Sequence, residues 1–193
     1  PFRKIDAVLL THIHYDHVGG IDDLRPFCRF GDINICSNTD VVNGLKHNMP
    51  YCFPEKGDLY PGVPRLILHE IKPHVGFSIG DIEVMPITVM HDKLPILGYR
   101  IGKLAYITDM KNIEEKELEY LSGISVLVIN ALRWKREHHS HQLVDDAISF
   151  ARKLGVKRVF LIHMTHEIGL HAKANLLLPS GIQFGFDGET IIV

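Results

Sequence analysis

The sequence predicts an α/β protein. Short apolar runs of strand length alternate with stretches of helical periodicity, and ligand-type side chains recur where the apolar runs stop. Strands are expected at residues 7–10, 82–89, 104–108, 126–129 and 159–162, where aliphatic and β-branched residues run together. Helical patterning is clearest over 142–154, where Leu143, Ala147, Ile148, Phe150, Ala151 and Leu154 make one apolar face. Ser140 is its expected N-cap and Gly155 its C-terminal stop. Further helices are expected over 114–121 and 167–177. Another should start near Asp22, after a tight loop at Gly19-Gly20. Residues 48–64 hold four prolines and two glycines and read as an irregular loop. Phe186-Asp187-Gly188-Glu189 reads as a turn before a last strand at 190–193.

A length of 193 residues suits a single domain over 1–193. With 46 % apolar and 23 % charged residues the chain has an ordinary globular composition. A formal net charge of −2 gives no general basic field for nucleic acid, which is admitted as a partner but not favoured. No apolar run reaches the length of a membrane span, so no membrane association is expected. Cys28, Cys36 and Cys52 form no CxxC pair and read as free thiols of a reducing compartment, which points to the cytoplasm. There is no repeat or long linker, and a homodimer is admitted.

The chemistry concentrates in His12-Ile13-His14-Tyr15-Asp16-His17. Imidazole nitrogen and carboxylate oxygen suit divalent ions such as zinc, manganese or iron. In an extended segment His12 and His14 point to the same side and can grip one ion. Asp16 and His17, where the chain turns, could serve a second. A single histidine is more often a surface or capping group. Four ligand-type residues in six positions after a buried-type strand reverse that balance. Two protein groups per ion are too few, so others must come from elsewhere. His91, Asp109 and His163 each end an apolar run, at the place where α/β proteins keep their sites. Asp109, with two oxygens, is the natural bridge between two cations.

The run from Thr11 to Gly20 resembles the signature of the metallo-β-lactamase fold hydrolases. Later pieces are similar to one branch: His91 followed by Gly98-Tyr99-Arg100, then Thr108-Asp109, His139-Ser140-His141, Leu161-Ile162-His163-Met164-Thr165-His166, Leu178-Pro179-Ser180-Gly181 and Gly185-Phe186-Asp187-Gly188. Together they resemble the phosphoribosyl 1,2-cyclic phosphate phosphodiesterases, which are kin to the tRNA 3′-processing endonucleases. The resemblance implies a four-layer αββα sandwich. That fold begins with several strands before the histidine motif, so part of the first sheet is expected to lie outside this sequence.

The resemblance also sorts the ligands. His12, His14 and His91 would hold one ion, Asp16, His17 and His163 the other, with Asp109 bridging. His141 would be a catalytic and phosphate-contacting residue, and Asp16 would orient water as well as bind metal. His138 and His139 read as solvated, and Lys93 and Arg133 as exposed cations before they read as phosphate contacts. His166 sits where some relatives carry a structural zinc ligand, but none of Cys28, Cys36 or Cys52 has the matching spacing. The implied activity is hydrolysis of a small, cyclic or open, phosphodiester with two divalent ions, zinc or manganese first and iron also admitted. The competing readings are an RNA-processing endonuclease, a lactonase or thioesterase, and a non-catalytic metal-binding relative.

Overall fold

The computed structural model describes residues 4–54 and 59–193. The first three residues and the middle of the 48–64 loop lie outside them. The chain forms two compact units, Pro1–Asp81 and Ile82–Val193, and the expected α/β class holds in each.

The first unit is built on a parallel sheet in the order β1 (Ala7–Leu9), β2 (Ile33–Ser37), β3 (Leu66–Glu70). Parallel strands need crossover connections, and here they are helical. A one-turn helix α1 (Tyr15–Val18) runs straight into a 3-10 helix at Gly19–Phe30. After β2 comes α2 (Thr39–Asn48), whose N-cap Asn38 accepts the Val41 N–H at 3.0 Å through Oδ1. Apolar positions of these elements meet in one core: Leu10, Val18, Ile21, Cys28, Ile33, Ile35, Val41 and Leu45. The short strand β4 (Phe77–Ile79) closes the unit.

The expected loop at Gly19-Gly20 is not there. Both glycines lie inside the helical run, and Gly19 has ordinary helical dihedrals, φ −59° and ψ −27°. Its small size is what counts, because a Cβ there would meet the Tyr15 ring at 3.0 Å.

The second unit carries strands in the order β10-β9-β8-β7-β6-β5. β5 (Ile82–His91), β6 (Leu94–Ile101) and β7 (Leu104–Ile107) form antiparallel pairs joined by two-residue turns. β7, β8 (Val126–Asn130), β9 (Arg158–Ile162) and β10 (Ile182–Phe184) run parallel. β8 is buried on both faces. Leu127 and Ile129 join the main core with Ile107, Leu161 and Phe184, while Val126 and Val128 pack with Phe160. That explains its unbroken apolar run. Each fully buried aliphatic side chain contributes roughly 1.5–3 kcal/mol.

Helix α3 (Val144–Leu154) presses Val144, Ala147, Ile148 and Ala151 into this core and ends at Gly155 in the left-handed region, φ 70°, as expected. It starts later than the periodicity suggests. Leu143, not Ser140, is the N-cap residue, and its N–H is taken by Asp146 Oδ2 at 2.9 Å. Residues 114–121 form a 3-10 helix at Glu115–Leu121. The expected helix at 167–177 is broken by Gly169 into a 3-10 turn at His166–Ile168 and α4 (His171–Asn175). The turn at Asp187-Gly188 is present, but residues 190–193 are not a strand. They are held instead by packing of Ile191 on Val126, Val128 and Phe160, and by Arg158 donating to the Ile192 carbonyl. No helix among the described residues is long and apolar enough to cross a membrane.

Candidate metal centre

In the first unit the end of β1 is pinned before the motif begins. Leu10 donates its N–H to Cys36 O at 3.0 Å, and Ser37 Oγ donates to Leu10 O at 2.8 Å. The chain then leaves the sheet through the buried Thr11 and His12. His12 Nδ1 meets Thr11 Oγ1 at 3.0 Å, which turns Nε2 toward His14 Nδ1, 2.9 Å away. Two imidazole nitrogens at that separation need a proton or a cation between their lone pairs. The same-side placement expected for these two residues is therefore present, although they lie beyond the strand. The His17 ring centroid is 4.3 Å from that of His12, and Asp16 Oδ2 is 3.3 Å from His17 Nε2. Ligand atoms of His12 and His14, and likewise those of Asp16 and His17, fall within 4.8 Å of each other. Ile13, between the two histidines, is seated on Gly44 of α2, where even a methyl group would lie 2.5 Å from its Cγ1.

The second unit builds its cluster at the C-terminal edge of parallel strands. Register pairs Ile107 with Ile129 and Ile129 with Leu161. Two residues further on, Asp109, Ala131 and His163 stand level. Asp109 and His163 both have left-handed backbone, with φ 56° and 55°. This region is uncommon for residues with a Cβ, though Asp and His enter it more readily than most. The left-handed bend ends each strand and redirects the next side chain, and the two polar groups meet: His163 Nε2 is 3.2 Å from Asp109 Oδ1. Thr108 Oγ1 donates to the same oxygen at 2.7 Å. The other oxygen, Oδ2, is 3.3 Å from His141 Nε2 and 4.0 Å from His91 Nε2.

His91 ends β5. Its Nδ1 lies 2.9 Å from Asp109 O and 3.0 Å from Ser140 O. Carbonyls only accept, so Nδ1 carries the proton and Nε2 keeps its lone pair, the arrangement a metal-binding histidine needs. Burial pushes the His91 pKa below the usual imidazole value, opposed by the hydrogen bonds to Ser140 and Asp109. The ring is thus held neutral, the form that binds metal.

His141 is in this cluster as expected, but not at a helix start. It precedes the first turn of α3 by three residues. Its ring stacks on His163, 5.0 Å between centroids and 11° between planes, and lies 4.7 Å from the His91 ring. Of the residues read as solvated, His139 is exposed, whereas His138 is half-buried against His141 at 4.9 Å. Arg133 is buried, not an exposed cation. Its guanidinium donates to Arg136 O and Glu137 O and pairs with Glu167. Lys93 is exposed, and His166 is exposed on its 3-10 turn.

Sequence reasoning missed the residues that hold the ligands in place. Asn130, fully buried at the end of β8, accepts the Met110 N–H at 2.9 Å and donates to Met110 O at 3.0 Å, fixing the backbone just after Asp109. Gln142 donates to Asn130 O at 2.8 Å, and its N–H reaches Met110 O. A buried amide at a strand end, level with Asp109, was the available signal. The ligand set of each unit, histidine nitrogen with carboxylate oxygen and no thiolate, fits a borderline or moderately hard divalent cation.

Over residues 1–164 the chain matches the beta-lactamase superfamily domain. It is 42 % identical over 190 residues to the octanoyltransferase of Porphyromonas gingivalis (strain ATCC BAA-308 / W83). That match takes in 98 % of this chain but only 38 % of the relative, so the chain spans well under half of that protein's length. Among solved structures it is 33 % identical to a diphosphatase from the PhnP family, with a TM-score of 0.86, covering 97 % of this chain and 70 % of that one. Human tRNase Z, short form, is 17 % identical with a TM-score of 0.68, over 97 % of this chain and 79 % of that one, and shares the fold. The chain therefore belongs to the beta-lactamase superfamily, on its PhnP-family branch, and has the metallo-β-lactamase hydrolase fold.

Proposed function

We propose that the chain is a two-metal phosphodiesterase acting on a small phosphodiester. His12, His14 and His91 hold one divalent cation and Asp16, His17 and His163 the other, with Asp109 serving both. The observation that carries this reading is the division of labour at Asp109. One oxygen lies beside His163, 3.2 Å away, and the other faces His91 at 4.0 Å, as a carboxylate shared between two ligand sets requires. When bound, the cations supply Lewis acidity and lower the pKa of a water into the neutral range.

The remaining steps belong to the side chains. His91 stays neutral and fixed in orientation by Asp109 O and Ser140 O. Asp16, whose side chain is 64 % exposed, is open to solvent and would orient water as well as bind metal. His141 Nε2 faces Asp109 Oδ2 at 3.3 Å, where it contacts a phosphoryl oxygen and can deliver a proton to the departing one. The likeness to a PhnP-family diphosphatase supports phosphate chemistry.

A second reading is hydrolysis of an acyl ester or thioester by the same residues. It is favoured by one observation, the 42 % identity to a protein named for octanoyl transfer. Turnover of bis(p-nitrophenyl) phosphate against p-nitrophenyl acetate, with added manganese or zinc, separates the two. Metal-dependent turnover of the phosphodiester is expected, and turnover of the acetate alone would replace this reading by the second.

A further inference from the structure

His138 has no place in the ligand set or in the chemistry assigned above, yet its Nδ1 is the meeting point of three polar contacts. It lies 3.3 Å from the Ser140 backbone nitrogen, 3.2 Å from Ser140 Oγ and 3.1 Å from His141 Nδ1. The Ser140 N–H can only donate, so His138 Nδ1 is an acceptor and the neutral ring carries its proton at Nε2. Two bare nitrogen lone pairs would repel at 3.1 Å, so His141 Nδ1 must be the donor. Ser140 Oγ, 3.0 Å from His141 Nδ1, completes a three-membered network on the same side of that ring. The far side, Nε2, faces Asp109 Oδ2, an acceptor, at 3.3 Å, so the ring is a donor on both sides.

We propose that His138 is a positioning residue for His141: by accepting from Nδ1 it fixes the ring plane that presents Nε2 to substrate. The proposal rests on the hydrolase reading for its consequence but not for its geometry. The loop that carries His138 is built for the purpose. Arg133, 8 % exposed, ties down the carbonyls of Arg136 and Glu137 immediately before it. The Ser140 carbonyl two residues after it accepts from His91. His138 is therefore clamped on both sides while its ring packs on His141, 4.9 Å between centroids and 57° between planes. The relation is that of a partner holding the non-reacting nitrogen of a histidine, whose loss typically costs 10–100-fold in function at comparable sites.

The test uses zinc-loaded protein with 15N-labelled histidine. Long-range 1H–15N correlation is expected to show a hydrogen-bonded, slowly exchanging Nδ1 proton on His141 in the wild type and its rapid exchange with solvent in His138→Ala. With bis(p-nitrophenyl) phosphate, His138→Ala should lose about tenfold in kcat while KM and zinc stoichiometry stay put. His138→Asn, whose Oδ1 can accept in place of Nδ1, should recover most of the rate and the protected proton. An equally protected His141 Nδ1 proton in His138→Ala, or an asparagine variant as impaired as the alanine one, overturns the proposal. His138→Phe keeps the ring and removes the acceptor, and carries the same readouts if the alanine variant does not fold. Absence of wild-type phosphodiester turnover would end the hydrolase reading, and the exchange of the His141 Nδ1 proton would then decide the role of His138 by itself.

Discussion

His163 Nε2 and Asp109 Oδ1 lie 3.2 Å apart, although a whole strand, β8, separates the strands that carry them. Two strand spacings put their backbones roughly 10 Å apart, and the side chains close that distance above Ala131, which is fully buried and small. Asp109 thus presents one oxygen to His163 and the other toward His91. Asp109→Ala should lose the second ion and more than ~10²-fold in rate, since it removes a ligand rather than a partner of one. Elemental analysis and kcat on the same preparation check this, and full metal content with full rate in the variant would sink the bridging role.

The left-handed backbone at His163, φ 55°, supplies a test that separates ligation from strain. His163→Asn and His163→Val both remove the imidazole, so both should weaken metal binding. Asparagine tolerates this region and a β-branched residue does not. The valine variant should therefore be about 1–2 kcal/mol less stable than the asparagine one in chelator-treated protein. Equal urea midpoints for the two would show that the bend carries no strain.

Asn130 holds Met110 at both its N–H and its carbonyl, which fixes the peptide next to Asp109. Asn130→Ala leaves the buried Met110 N–H without its partner, while Met110 O keeps the Gln142 N–H. Stability should fall by about 1–3 kcal/mol, and activity should fall further than the unfolded fraction explains, because Asp109 loses its anchor. Activity that tracks the folded population alone would make Asn130 a purely structural residue.

The sequence made the candidate ligands legible because ligation would demand particular atoms. His12, His14, Asp16 and His17 crowd six positions, and His91, Asp109 and His163 each interrupt an apolar run. Strands buried on both faces, such as β8, were equally plain. What escaped was whatever depends on a partner distant in the chain. β6 was hidden because Pro95 and Gly98 blur its alternation, and β10 because three residues make no pattern. Ser140 looked like a cap, but its carbonyl serves His91 and its hydroxyl serves two other histidines. His138 and Arg133 looked solvated because charge and polarity say nothing of burial when the loop folds back on itself.

Acid should destabilise the metal-free protein through His91. Its pKa in the fold lies below the ordinary 6.5, mainly from burial, and His138 is lowered mainly for the same reason. Below about pH 6.5 the unfolded chain therefore binds the proton first. The stability these rings allow is fully present above that pH and is lost as pH falls through their folded values. In chelator-treated protein the urea midpoint should drop between about pH 8 and pH 5, and less steeply in His91→Gln. A drop of the same size in that variant would assign the acid sensitivity elsewhere.

Gly44 tests how closely packing controls the first ligand cluster. A Cβ at this position would lie 2.5 Å from Ile13 Cγ1 and 2.8 Å from its Cδ1, and Ile13 is the residue between His12 and His14. Gly44 is helical, so alanine there relieves the helix-propensity cost of glycine by about 0.5–1 kcal/mol. Against that gain stands overpacking at about 1–3 kcal/mol, with Ile13 as the side chain that must yield. Gly44→Ala should accordingly be less stable overall and bind zinc or manganese more weakly, since moving Ile13 parts two nitrogens now 2.9 Å from each other. Ile13→Ala removes the obstructing atoms. The double variant should regain metal affinity relative to Gly44→Ala, with a coupling of about 0.5–3 kcal/mol, and additive effects in that cycle would place the origin of the damage somewhere other than this contact.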